Sequence, residues 1–284
     1  MSDAVLEGKT AIVTGAAGGI GRVLVAALLD SGANVAALDV DAAALSGLDA
    51  LRDKHDSSRL LCSAVDVADY AACANAVESS IASLGGLHIL INNAALGLGV
   101  VREDHFSRLV AIQEIDPAVW ERFMAVNATG AWNMTRASIG HLLAQQWGRV
   151  INVTTSFFTM LRGGFHPYGP SKAALEAMSY GHSQEFEGTG ITVNIVVPGG
   201  PADTAMVPDD IGVDRTLLIT PSVMVPPILW LCSDAANDVS GNRYVAAQWD
   251  PTSSADKAAQ ASGAPAAWPQ LAQSPVWPGA KPDR

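Results

Sequence analysis

The 284-residue chain has few charged side chains and, among them, few cations. Charged residues make up 16% of the sequence, and 17 Lys and Arg stand against 28 Asp and Glu, for a formal net charge of −11. Binding to the phosphates of DNA or RNA needs a basic surface. We therefore expect no nucleic-acid partner, whereas the 49% of hydrophobic residues predicts a folded globular core.

Cysteine pairs, metal-binding spacings and long apolar runs are also lacking. The cysteines, Cys62, Cys73 and Cys232, are odd in number and far apart, which favours free thiols over a disulfide framework. The six histidines show no metal-ligand spacing, so no metal site is predicted. The apolar runs are shorter than the roughly 18 residues of a membrane span, and the N-terminus shows no secretory signal. We expect a cytoplasmic protein with no membrane partner.

The sequence does contain an alternation of short apolar runs and longer helical patterns. The runs predict strands at 9–14, 33–39, 60–65, 87–91, 149–153, 191–197 and 242–247. Helical periodicity predicts helices at 20–30, 41–54, 69–84, 117–146, 170–187 and 221–233. Strands that are apolar along their whole length are covered on both faces. The pattern indicates an α/β fold with a parallel sheet of about seven strands and helices on both faces.

The chain has no visible linker, so residues 1–250 are predicted to form one domain. The tail, 251–284, is rich in Ala, Pro, Ser and Gln, which is typical of a loose terminal extension. Trp268 and Trp277, each followed by Pro, favour instead a segment that packs on its own or a neighbouring subunit.

The first predicted strand runs into the segment TGAAGGIG, residues 14–21. Gly15, Gly19 and Gly21 allow a tight turn and close approach of a pyrophosphate, at the start of a helix near Ile20 where the amides and the helix dipole favour anions. Asp39 follows 20 residues after Gly19, at the end of the next strand. A carboxylate there can accept both adenosine-ribose hydroxyls and repels a 2′-phosphate. The pattern predicts a dinucleotide site that prefers NAD to NADP.

A second pattern is Tyr168-Gly-Pro-Ser-Lys172. Helical positions i and i+4 share a face, so the phenol and the ammonium can meet in one site. A free phenol has a pKa of about 10, and a nearby cation favours the phenolate. Tyr168 could then take a proton from a substrate hydroxyl, or return one to a carbonyl, while hydride moves to or from the nicotinamide. Lys172 would also hold the nicotinamide ribose.

Together these segments resemble the short-chain dehydrogenase/reductase family, and the resemblance extends over about residues 8–248. Segments similar to the family's adenine-side pair, its fourth-strand segment and its nicotinamide-side turn are Asp66-Val67, Asn92-Asn93-Ala94 and Pro198-Gly199. The resemblance implies a single-domain Rossmann-like, doubly wound sheet and a dehydrogenase or reductase acting on CH–OH groups. It also implies a homodimer or homotetramer that pairs through helices 117–146 and 167–187.

The resemblance further implies roles for three side chains. The family's catalytic Ser, thirteen residues before the Tyr, is here Thr155, and Ser156 could substitute only if the loop register shifts. Asn127 matches the catalytic Asn on the long helix, which holds a water linking Lys172 to solvent; an Asn satisfied in a helix–helix contact is the alternative. Thr204 matches a residue that binds the nicotinamide carboxamide, with a spacing one residue longer than usual.

The substrate is less closely specified. Five apolar residues between Thr155 and Tyr168 indicate either an apolar or aromatic small-molecule substrate or ordinary core and subunit contacts: Phe157, Phe158, Met160, Leu161 and Phe165. Arg162 is the only charged residue there and could meet a carboxylate. The segment 97–113 makes the path to Asn127 about ten residues longer than in the family. It either borders the substrate mouth or forms a surface insertion.

Two other classes of function remain to be weighed. A Ser-His-Asp hydrolase needs a Gly-x-Ser-x-Gly elbow, which does not occur. A catalytically idle dinucleotide-binding sensor or scaffold is supported by Thr155 alone and opposed by Tyr168, Lys172 and Asn127. We therefore predict an NAD-dependent oxidoreductase that interconverts a secondary alcohol and a ketone.

Overall fold

The computed structural model describes residues 5–208, 212 and 214–272, so Trp277 lies outside the described residues. Within them one sheet contains β1 (Thr10–Thr14), β2 (Asn34–Asp39), β3 (Leu60–Ala64), β4 (Ile89–Asn92), β5 (Gly148–Val153), β6 (Ile191–Val197), β7 (Asn242–Val245) and β8 (Gly263–Pro265). Its spatial order is β3-β2-β1-β4-β5-β6-β7-β8. The first seven strands are parallel, which confirms the predicted Rossmann-like sheet.

The eighth strand differs from the expectation of about seven. β8 belongs to the C-terminal tail and pairs antiparallel with β7. With three residues and a Pro it is too short to show a period-2 pattern. The tail therefore extends the sheet of its own subunit.

Helices cover both faces of the sheet. They are α1 (Gly19–Asp30), α2 (Ala42–Leu45), α3 (Asp49–Lys54), α4 (Tyr70–Leu84), α5 (Pro117–Met124), α6 (Gly130–Gln145), α7 (Phe157–Leu161), α8 (Tyr168–Glu185), α9 (Val225–Cys232) and α10 (Ala255–Ser262). In β1, Ala11 and Val13 pack into a core with α1, α9 and α10, whereas Ile12 points to the opposite core beneath α4 and α6. This alternation follows from the period of two along a strand. In the part of the chain that the structure describes, no helix is long and apolar enough to cross a membrane.

Two predicted helices are interrupted. The stretch 41–54 divides into α2 and α3 around a 3₁₀ turn, Ser46–Leu48. The stretch 117–146 is continuous, but a π-helical turn, Ala125–Thr129, separates α5 from α6. Periodicity alone does not register the one extra residue of a π turn, and such turns are frequent at functional sites. This one contains Asn127.

The topology determines where a ligand can bind. β1 pairs with β2 on one side and with β4 on the other, so the order of strands reverses at β1. In open α/β sheets a crevice forms at this point, outside the carboxyl ends of the strands. The segments that follow β1, β2, β4 and β5 all converge there.

Candidate active site

A cavity of about 700 Å³ lies at the carboxyl ends of the parallel strands. Its wall includes the glycine segment after β1, the ends of β2, β4 and β5, the first turns of α8 and the loop after β6. Of the predicted site residues, all but Gly21 and Asn127 line it: Gly15, Gly19, Ile20, Asp39, Asp66, Val67, Asn93, Ala94, Thr155, Tyr168, Lys172, Pro198, Gly199 and Thr204.

The glycine segment forms a turn that side chains would obstruct. Gly15 has φ of 63°, in the left-handed region, and a Cβ there would lie 2.8 Å from Ala94 Cα. A Cβ on Gly21 would lie 2.1 Å from the Gly15 carbonyl oxygen, so Gly21 serves the close packing of α1 on the loop. The start of α1 has no side-chain cap and no acidic residue in its first turn. Its free amides and positive dipole end therefore suit a bound pyrophosphate.

Asn93 holds this turn from the neighbouring strand. Its Nδ2 donates to the carbonyl oxygens of Thr14 and Gly15, both at 3.0 Å. In return, the backbone amides of Asn93 and Ala94 donate to Thr14 Oγ1 at 3.0 Å. These bonds tie the end of β4 to the glycine turn.

Asp39 lies at the end of β2 on the cavity wall. Its carboxylate accepts from the Ala17 amide at 2.9 Å and from the Asp41 amide at 3.1 Å. The nearby cation, Arg22, donates to the carbonyl oxygens of Ala17 at 2.6 Å and Ala44 at 2.9 Å. The Arg22 guanidinium is therefore engaged with backbone.

Asp66 is paired with a residue that sequence reasoning missed. Arg122 NH2 donates to Asp66 Oδ2 at 2.9 Å, and both residues line the cavity. Burial raises the pKa of the Asp66 carboxyl, but hydrogen bonds from the Ala68 amide and from Arg122 outweigh burial and lower the pKa overall. The sequence held no signal for this pairing, because Asp66 and Arg122 are 56 positions apart.

Tyr168 and Lys172 both lie on the first turns of α8, and both line the cavity. Lys172 is 2% exposed, and its Nζ donates to the Val153 carbonyl at 2.8 Å. Burial lowers the pKa of Lys172 to about 8. Burial raises the pKa of Tyr168 to about 12, and a hydrogen bond with the Thr155 side chain acts in the opposite direction. In the protein alone, burial therefore outweighs the expected effect of Lys172 on the phenol.

The two candidate hydroxyls after β5 have different partners. Thr155 and Tyr168 both line the cavity, and the Thr155 side chain acts to lower the pKa of the Tyr168 phenol. Ser156 caps α7, where its Oγ accepts from the Thr159 amide at 3.1 Å and shares a 2.9 Å hydrogen bond with Thr159 Oγ1. Thr155 is therefore the hydroxyl next to Tyr168, without a shift in register.

Asn127 lies behind the cavity wall and is fully hydrogen-bonded. Its Oδ1 accepts from the Leu96 amide at 2.7 Å, and its Nδ2 donates to the Leu96 carbonyl and to Ser171 Oγ, both at 3.0 Å. Two of these bonds go to the loop residue Leu96 and one goes to α8, so the contact is helix–helix only in part, and the water relay stays a prediction for Asn127. Asn127 links the π turn to α8 one residue before Lys172.

The loop after β6 closes one side of the cavity. Gly199 has φ of 104°, and a Cβ there would lie 2.9 Å from a methyl group of Val245. Thr204 lies over the glycine turn, since a Cβ on Gly19 would come within 2.6 Å of Thr204 Cγ2. Among the described residues, its Oγ1 makes long hydrogen bonds of 3.4 Å, to the Ala202 carbonyl and from the Met206 amide. Thr204 is therefore placed beside the cofactor cradle.

The opposite end of the cavity is apolar. Phe158 and Phe165 line it, but Phe157, Met160 and Leu161 do not. Arg162 also lines it, with its guanidinium 5.5 Å from the ring centre of Phe158 and 4.8 Å from that of Phe165.

The extra segment 97–113 borders this end. It contributes Gly97, Leu98, His105 and Phe106 to the cavity wall. The segment therefore borders the cavity, and its role at a substrate mouth stays a prediction. Met206 and Val207, from the loop after β6, also line the cavity.

Comparison with known proteins agrees with this geometry. The family model for short chain dehydrogenases matches residues 9–211. A short chain dehydrogenase, mpl6, of Monascus purpureus is 30% identical over 252 residues, covering 86% of this chain and 82% of that protein. The 2,5-dichloro-2,5-cyclohexadiene-1,4-diol dehydrogenase LinX of Sphingobium indicum is 30% identical over 244 residues, with coverages of 83% and 93%.

A solved structure from Sinorhizobium meliloti, assigned to the short-chain alcohol dehydrogenases, has a TM-score of 0.74 and 28% sequence identity. The match covers 85% of this chain and 95% of that one. Sequence, fold and site geometry thus agree, and the chain belongs to the short-chain dehydrogenase family of oxidoreductases.

Proposed function

We propose that this oxidoreductase uses NAD to interconvert a secondary alcohol and a ketone of apolar or aromatic character, with Tyr168 as general acid–base. The observation that carries the proposal is the meeting of Tyr168, Lys172 and Thr155 in one cavity. One end of that cavity is a glycine cradle and the other is an apolar wall.

The cradle fits a dinucleotide. The uncapped start of α1 and the glycine turn would hold the pyrophosphate. Asp39 would accept the adenosine-ribose hydroxyls, and its charge disfavours a 2′-phosphate. Arg22 is held by the backbone carbonyls of Ala17 and Ala44 and does not line the cavity, and this favours NAD over NADP.

Tyr168, Thr155 and Lys172 would have different tasks in the proton transfer. The bound nicotinamide supplies the hydride acceptor or donor. The Thr155 and Tyr168 hydroxyls bind the substrate oxygen, and Tyr168 takes its proton in oxidation or returns it in reduction. Because burial raises the pKa of Tyr168 to about 12, forming the phenolate near neutrality requires both Lys172 and the positive charge of the oxidised cofactor.

Residues outside the cavity support the remaining parts of the proposal, which concern the oligomer, the tail and the cytoplasmic location. Trp120, Trp132 and Leu143 are large apolar side chains exposed on α5 and α6, which suits pairing of these helices in a homodimer or homotetramer. The tail to Ala272 would then pack on its own subunit. The thiols of Cys62, Cys73 and Cys232 are free, which suits a cytoplasmic location.

The test combines cofactor binding with turnover. NADH and NADPH are titrated by fluorescence, and apolar secondary alcohols and ketones are then screened by absorbance at the nicotinamide band. We expect tighter binding of NADH and turnover of part of the panel. Tyr168→Phe should bind NADH as wild type does but lose turnover by about 10³-fold, in the range of general acid–base catalysis.

Other outcomes would contradict separate parts of the proposal. Tighter binding of NADPH would refute the role of Asp39. Full turnover by Tyr168→Phe would refute the acid–base role. NADH binding without turnover of any panel member would favour the catalytically idle dinucleotide-binding protein.

A further inference from the structure

Glu176 is a buried carboxylate that does not line the cavity. It lies on α8 one turn after Lys172 and is 0% exposed. Its carboxylate accepts hydrogen bonds from Thr154 Oγ1 at 2.8 Å, Arg243 Nε at 3.0 Å and the Ala267 amide at 3.2 Å. It therefore joins the end of β5, strand β7 and the C-terminal tail.

Arg243 extends this hydrogen-bond network to Thr155, in the loop after β5. Its NH2 donates to the Thr155 carbonyl at 2.9 Å. Its guanidinium also lies 3.9 Å from the ring centre of Phe157, and that ring packs on Trp268 with centroids 5.5 Å apart. The backbone of Thr155 is thus held by a cation that the tail covers.

The tail is fixed at this point by hydrogen bonds. Ala267 has φ of 53°, a left-handed conformation that is uncommon for residues other than Gly. The Ala266 amide donates to the Gly241 carbonyl at 2.9 Å, and the Ala267 amide donates to Glu176. These bonds hold Ala267 in an unfavourable conformation directly beside the buried ion pair.

We propose that Glu176 and Arg243 are positioning residues that, covered by Ala267 and Trp268 of the tail, hold the Thr155 hydroxyl against the Tyr168 phenol. A buried ion pair is costly to desolvate and adds little stability over apolar packing of the same shape. Its directional bonds, however, fix the backbone of Thr155. Reactive groups tolerate little displacement, since an error of about 1 Å can cost 10²-fold in rate.

The first test needs no substrate. The chain has four tyrosines, so labelling with [¹³Cζ]tyrosine gives few resonances, and Tyr168→Phe identifies that of Tyr168. Thr155→Val should displace this resonance by removing the hydroxyl contact. Arg243→Lys, Glu176→Gln and Trp268→Ala should displace it in the same direction. In protein that already carries Thr155→Val, these three substitutions should displace the Tyr168 resonance little further.

Arg149→Lys is the matched control. Arg149 is as buried as Arg243 and lies at the start of β5, where it donates to the carbonyl oxygens of Gly148 and Ser233 at the opposite end of the sheet. Its substitution should lower stability without moving the Tyr168 resonance. A resonance displaced by Thr155→Val but unmoved by Arg243→Lys and Glu176→Gln would overturn the proposal. So would a resonance that Thr155→Val leaves unchanged.

The second test is kinetic and rests on the proposed function. With a substrate that wild type turns over, Arg243→Lys and Glu176→Gln should lower kcat by roughly ten- to hundredfold. KM and the affinity for NADH should remain unchanged. The losses should not multiply with that of Thr155→Val, because all three act on one hydroxyl.

Losses that multiply would show an independent structural role and overturn the proposal. A wild-type protein without turnover would instead refute the proposed function. The ¹³C resonance would then still decide the role of Glu176 and Arg243.

Discussion

The two ends of the cavity are built from different parts of the chain. The cofactor end consists of backbone: a glycine turn, the start of α1 and the ends of strands, tied together by Asn93. The substrate end consists of side chains on the segment 97–113, on α7 and on the loop after β6. At the first end we expect Asp39 to select between NAD and NADP, whereas at the second end single substitutions can change the specificity.

The two ends also differ in what holds them in place. Buried strands support the glycine turn from below. The segment 97–113 is held by ion pairs, Arg102–Asp104 at 2.6 Å, Arg102–Glu114 at 3.2 Å and Arg108–Glu114 at 2.5 Å. Such pairs near the surface add little to stability. The substrate wall is therefore expected to move more easily than the cofactor cradle.

The largest expected effect is that of a substitution in the glycine turn at the cofactor end. In Gly21→Ala the new methyl group would lie 2.1 Å from the Gly15 carbonyl oxygen, and neither backbone can move freely. We expect a loss of about 3 kcal/mol in the free energy of unfolding, at the upper end for overpacking. The NADH affinity should fall by about 100-fold, which corresponds to a similar free energy. Denaturant unfolding and NADH titration measure the two effects.

Gly140→Ala is the control for this substitution. Gly140 lies within α6, and a Cβ added there would meet open space, with no contact within 4 Å among the described residues. Ala in an exposed helix interior should stabilise by about 0.5–1 kcal/mol and leave NADH binding unchanged. If both variants had the same unfolding free energy and the same NADH affinity, the close contact at Gly21 would not determine the shape of the glycine turn.

The sequence predicted the cofactor end better than the substrate end, and the difference has a physical reason. A turn with φ of 63° at Gly15 and a contact that excludes a Cβ at Gly21 leave glycine at fixed positions. The spacing of Tyr168 and Lys172 is similarly dictated by the helix. Such constraints can be read from residue order alone.

Side chains that meet through tertiary packing leave no such pattern. Phe157, Phe158 and Leu161 are equally apolar in sequence, yet Phe157 packs on Trp268, Phe158 lines the cavity and Leu161 is exposed. Glu176 and Arg243 are 67 positions apart, and nothing in the sequence indicates their pairing. The eighth strand was missed for the same reason, because it depends on pairing with β7.

A smaller effect is expected at Lys172, where the two ends meet. Burial lowers its pKa to about 8, so below pH 8 the folded protein is destabilised by a buried charge. Lys172→Met removes this charge but also the bond to the Val153 carbonyl. We expect a net gain of about 2 kcal/mol in the unfolding free energy of the cofactor-free protein at pH 7, and loss of turnover.

The difference in unfolding free energy between Lys172→Met and wild type should depend on pH, because the pKa of Lys172 is lowered in the folded protein. Between pH 8 and about 10.5 the unfolded chain keeps the Lys172 proton that the folded protein has lost, so wild-type stability rises with pH. Lys172→Met lacks this rise, and its advantage should shrink from pH 7 to pH 10 in denaturant unfolding. Tyr168 and Tyr244, whose pKa values burial raises to about 12, are present in both proteins. An advantage that stays constant over this range would contradict the lowered pKa.

The smallest effect is expected at the substrate wall. Phe158 and Leu161 lie on the same short helix and are exposed to similar extents, 70% and 75%, but only Phe158 lines the cavity. Phe158→Ala should raise KM for an apolar substrate about fivefold, equivalent to about 1 kcal/mol of lost apolar contact, while NADH affinity stays unchanged. Leu161→Ala should change neither quantity. If both substitutions raised KM equally, general disturbance of α7 would explain the effect, and the substrate would contact a different part of the wall.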